Sequence, residues 1–216
     1  MIQPPAMRIK SRWFSGDGSA VRKSAAEQGG AMAFIAWRVA VQMVKRLRAA
    51  KFDVDAGTPY FVIVQEVLVF ACALADRIAF LRLSTEERAA FVVALVRHVA
   101  RHLQDNADDL LGPPAPGAAS HADRFVDLFN ELSPHYAEFD GDPAGDDRHG
   151  FTPGFAALRY LGRRLEPALP EHDRRWLLDQ VMATEAPEAI DIVQRSMREL
   201  FDPQPRPSRR ASLAGE

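Results

Sequence analysis

The amino-acid sequence predicts an all-α fold: a single bundle-like domain of about seven helices, three of them long and antiparallel, the rest shorter and covering. Three observations carry that expectation. Neither glycine nor proline occurs from Ala31 to Ala56 or from Tyr60 to Leu111, and breaker-free stretches of that length belong to helices. Apolar residues within them recur at three- and four-residue spacing, the rhythm of an amphipathic helix. No alternating strand pattern of useful length appears.

Residues 1–23 read as an irregular basic arm, because Pro4-Pro5 and the Gly16-Asp17-Gly18 turn oppose regular structure. Residues 24–201 form the all-α domain. Helix 1 is predicted from about Ser24 to Ala50, with the Gly29-Gly30 pair able to delay its start. Phe34, Trp37, Ala40, Val41, Val44 and Leu47 make its apolar face, and Arg38, Gln42, Lys45 and Arg46 lie opposite. Helix 2 opens at Thr58-Pro59, a cap followed by proline where a missing N–H costs nothing. It continues to about Leu83. Its polar residues Gln65, Glu66, Asp76 and Arg77 occupy a narrow arc, and the rest of its circumference is apolar. That pattern describes a helix surrounded by others, with one polar seam.

Helix 3 opens with the capping box Ser84 to Glu87 and ends at Leu111, before Gly112-Pro113-Pro114. Its apolar stripe is Val92, Leu95, Val96, Val99, Leu103 and Leu110. Residues 112–119 form a linker. Helix 4 runs from about His121 to Phe139, capped by Ser120, and Pro134 should kink or split it. An acidic loop spans 140–151. Helix 5 starts at Thr152-Pro153 and reaches about Glu166. Helix 6 covers about Glu171–Thr184, and helix 7 about Pro187–Phe201. Residues 202–216 form a tail rich in proline and arginine, a composition that predicts disorder.

The formal net charge of -2 hides an asymmetry. Residues 1–51 carry ten bases against two acids, whereas residues 52–205 carry fourteen against twenty-six. A basic first helix against an acidic remainder settles most of this within the chain. The arm, Arg8-Ile9-Lys10-Ser11-Arg12-Trp13-Phe14, interleaves bases with aromatic and apolar groups; it suits an anionic surface, with a tethered arm whose Trp13 and Phe14 pack onto the domain as the competing reading. The overall charge predicts no specific nucleic-acid binding. The most apolar stretch, Tyr60 to Leu81, contains Glu66, Asp76 and Arg77, each costing roughly 2.5–3.5 kcal/mol at a bilayer centre. A buried core helix is therefore expected, not a membrane span. The single cysteine, Cys72, lies in that apolar run and reads as a buried, inert thiol. The cytoplasm is the expected location.

Candidate chemistry is sparse. On helix 3, His98, His102, Asp105 and Asp109 share a stripe, and His98, His102 and Asp105 are the candidate metal ligands. The stripe adjoins the solvent side and lacks a zinc-protease glutamate, so a solvated face is the competing reading. On helix 2, Glu66, Asp76 and Arg77 are candidate ligand-binding residues, with Tyr136 or Tyr160 able to complete a pocket. Ten residues of helix hold Glu66 and Asp76 about 15 Å apart, too far to share a proton or a metal. Structural ties to arginines elsewhere are the competing reading there. Asp140, Asp142 and Gly145 match part of a calcium loop, but Phe151 stands where a bidentate glutamate is needed. Arg209-Arg210-Ala211-Ser212 matches a basophilic kinase site, a pattern that arginine-rich tails reach by chance.

No catalytic spacing stands out. The expectation is a non-enzymatic protein-interaction or scaffold module that takes a protein partner or self-associates and needs no cofactor. The alternative is a small-molecule- or metal-binding bundle that joins the helix 2 seam to the helix 3 histidines.

Overall fold

A computed structural model describes residues 23–142 and 150–203. The basic arm, the Gly16–Gly18 turn, Gly145 and the Arg209–Ser212 motif lie outside the described residues. Among the described residues the fold is all-α and contains no strand. The helices are α1 (Ala25–Ala49), α2 (Thr58–Phe80), α3 (Thr85–Leu111), α4 (His121–Glu138), α5 (Phe155–Leu165), α6 (Glu171–Gln180) and α7 (Ala186–Phe201). No helix among the described residues is long and apolar enough to cross a membrane.

Local signals fix several ends. Ser24 and Ser84 each form a reciprocal capping box, with Glu27 and Glu87 respectively. Ser120 accepts from the Asp123 amide at the start of α4. Gly112, at φ 82, closes α3. Other ends differ from expectation. Gly57, at φ 118, rather than Thr58, precedes α2, which puts Thr58 inside the helix. Thr152 and Pro153 stay outside α5. The chain there is occupied by a bridge between Gly141 and Pro153 and by an Asp142 amide bond to the Thr152 carbonyl. α4 continues through Pro134 without splitting. α6 and α7 are one continuous rod, joined by a π-helical turn at Val181–Glu185 just before Pro187. A widened turn lets the helix carry a residue without an N–H.

α2 is the centre. It packs against α1, α3, α4, α5 and α7, and a run from Glu66 to Cys72 is buried without interruption. α1 and α3 pack most extensively of all. They run parallel: Gly29 lies at Phe91 and Leu95, Gly30 at His98, and Trp37 at His102. The Gly29-Gly30 pair does not delay α1. A Cβ at Gly29 would stand 2.3 Å from the Phe91 carbonyl oxygen, so the missing side chain is what lets the two backbones meet.

That close approach rotates α1 from the predicted face. Its buried side is built on Met32, Ala33, Ala36, Val39, Ala40, Met43, Val44 and Leu47. Small residues set a short interhelical distance. Phe34, expected inside, is 55% exposed. On α3, Leu110 is likewise outside, and Phe91 takes an inner place that the predicted stripe omitted.

Candidate functional site

The polar seam of α2 meets three different helices. Glu66 is buried, and both its oxygens accept from Arg164 of α5, at 3.0 Å from Nε and 2.5 Å from Nη2. Asp76 takes the same bidentate geometry from Arg88 of α3, at 2.6 and 2.7 Å. Arg77 donates to the Ala137 carbonyl of α4 at 2.8 Å and lies over the Phe151 ring at 4.9 Å. Of the residues named for ligand binding, Glu66 is thus held apart from the neighbours Asp76 and Arg77. Each is spent on a separate neighbour, and paired forks of this kind hold orientation as well as charge.

Burial pushes the Glu66 carboxyl up, and its bonds to Arg164 pull it back; the same bonds raise Arg164. Beside this pair stands an aromatic cluster. Tyr136 packs edge-on against Phe70 and Tyr160, with centroids 5.7 and 5.3 Å away. Desolvation pushes both phenols above their ordinary range, and the Glu66 charge adds to it. The Tyr136 hydroxyl is buried and has no hydrogen-bond partner among the described residues. A carboxylate saturated by one arginine is poorly placed to take a proton from a substrate, and phenols raised in this way resist ionisation.

A solvent-open cleft of about 240 Å³ lies between α2, α3 and α4, lined by Asp76, Arg77, Arg88, Ser133 and Tyr136. Two of the three residues named for the α2 pocket border it, and Glu66 does not.

The predicted helix 3 cluster lies elsewhere. His98 and Asp105 are exposed. His98 stands beside Gly30, and the His102 ring lies 6.3 Å from that of Trp37. Among the described residues no three His, Cys, Asp or Glu side chains form a group able to hold a metal ion. Of the calcium-loop residues, the Asp140 carbonyl and the Asp142 amide bond to Gly154 and Thr152. Cys72 is buried as expected, and burial pushes its thiol up.

A second ion-pair group was not legible in the sequence. Arg46 of α1 pairs with the fully buried Glu185 at 2.7 Å and with Glu188 at 2.8 Å. Gln180 donates to the other Glu185 oxygen. This is one place where the basic first helix meets the acidic remainder.

Elsewhere, α1 and α3 flank an open groove of about 730 Å³, lined by Ala26, Gly30, Ala31, Phe34, Ala94 and His98. Phe34 lines it and is 55% exposed, and Val93, 54% exposed, lines the adjoining hollow on the α3 side. Arg97 and Arg101 continue the α3 side. Compared with protein-family models, curated proteins and solved structures, the chain matches none.

Proposed function

We propose that the chain is a non-enzymatic helical interaction module, working in the cytoplasm through the α1–α3 face and taking a protein partner or a copy of itself. The observation that carries this reading is the contrast in how charge and apolar surface are used. The charged groups of the α2 seam have structural partners on three helices, whereas Phe34 faces solvent on a groove of small residues and Val93 does so in the hollow that adjoins it. Exposed aromatic and aliphatic groups beside a groove are recognition material.

A second reading keeps the molecule as a ligand-binding bundle. The cleft lined by Asp76, Arg77, Arg88, Ser133 and Tyr136 favours it. Native mass spectrometry of the purified full chain, with elemental analysis, separates the two. The interaction-module reading expects masses of the bare chain or its oligomers. A stoichiometric retained small molecule or metal ion overturns it.

A further inference from the structure

The outer stripe of α1 carries a pattern that α1 itself uses only at Glu27, one of whose carboxylate oxygens closes the capping box with Ser24. Glu27, Gly30 with Ala31, Phe34 and Arg38 recur at three-, four- and seven-residue spacing, which puts them on one face of the helix. Glu27, Phe34 and Arg38 are exposed, and the two small residues between them are half-exposed. The stripe reads acid, small, aromatic, base.

Resting on the interaction-module reading, we infer that this stripe recognises a second copy of the chain, with α1 packed antiparallel on α1 about a two-fold axis between Ala31 and Phe34. In an antiparallel helix pair the numbers of facing residues have a constant sum. A sum of about 65 sets Phe34 opposite Ala31 of the second copy and Glu27 opposite its Arg38. The two-fold axis repeats both contacts. Each aromatic ring meets a small residue, and each acid meets a base. An in-register parallel pairing would set Phe34 on Phe34 and like charge on like charge, so the stripe itself selects the antiparallel arrangement. The groove beside it, walled by Ala94 on α3, gives the incoming Phe34 ring a place to lie.

The size of the face sets the strength. The twelve residues from Glu27 to Arg38 span about 18 Å of helix, and two helices side by side are about 20 Å wide, so each copy contributes a few hundred Å². Such a footprint belongs to weak, reversible contacts.

Sedimentation velocity of the full chain from about 1 to about 300 µM tests this. The expected mass rises from monomer to dimer across that range. Phe34→Ser weakens the dimer by about tenfold or more, as loss of a central aromatic anchor does, and leaves the circular-dichroism melt unchanged. Glu27→Arg and Arg38→Glu each weaken self-association when alone. Mixing the two variants restores a dimer, because every acid again faces a base; a misfolded variant would not be rescued in this way. A monomer at every concentration, a dimer indifferent to Phe34→Ser, or no recovery on mixing overturns the proposal. A bare monomer throughout removes the second copy while leaving the interaction-module reading in place. A retained small molecule removes that reading whatever the mass.

Discussion

The α2 seam and the outer stripe of α1 are opposite mismatches between a side chain and its surroundings. On α2, charged groups sit on a helix sheathed by apolar neighbours. On α1, a phenylalanine sits on a face open to water. The first mismatch is resolved within the chain: Glu66 has Arg164, Asp76 has Arg88, and Arg77 has the Ala137 carbonyl. The second is not, because the described residues leave Phe34 more than half exposed. The difference teaches where to look for function. A buried charge that has found its partner is architecture, and an exposed apolar group beside a groove is a surface awaiting one.

The largest expected effect lies in the seam. Arg164→Met leaves the Glu66 carboxylate buried and uncompensated, which should destabilise the fold by about 3 kcal/mol in urea denaturation. An effect within error of zero would break the comparison, because the seam would then not be fastening anything.

Next comes the inner side of α1. Gly29→Ala places a Cβ 2.3 Å from a backbone oxygen of α3. Two packed backbones cannot yield as a flexible side chain does, so a loss of about 2 kcal/mol is expected. On the outer side of the same helix, Phe34→Ser should change monomer stability by no more than about 0.5 kcal/mol. Equal losses at both positions would mean that the two sides of α1 are not distinct.

The smallest effect is a pH dependence. The folded Glu66 carboxyl is raised above its ordinary value, with burial the largest cause. The folded chain therefore holds that proton to higher pH than the unfolded chain does. Stability drawn from Glu66 should fall as pH rises from the ordinary carboxylate range through the raised value, and stay level above it. Measured against Glu66→Gln, which does not titrate, the wild type should lose ground across that window. A gain instead would mean that Arg164 outweighs burial.

Much of the fold was legible because its signals are local. Ser84 with Glu87, Ser120, and Gly112 all act within a few residues of themselves, and each marks the end expected of it. The polar seam was legible as a seam for the same reason. Its partners were not: Arg164 lies 98 residues from Glu66, and nothing near it in sequence distinguishes it from Arg163. Arg88, twelve residues from Asp76 across a tight turn, was within reach of a geometric argument. Phe34 was misplaced because periodicity locates a stripe only to within a residue or so. The deciding term is the close backbone contact at Gly29, a tertiary fact. The glycine pair was visible, but a glycine inside a helix reads equally as a weak start or as a place of close approach.

One measurement bears most directly on the claim that the seam fastens the helices: a double-mutant cycle on Glu66 and Arg164, each changed to methionine singly and together, followed by urea denaturation. The expected result is a coupling energy of about 2 kcal/mol, with the double variant more stable than Arg164→Met alone. Additive losses, with no coupling between the two positions, would contradict it.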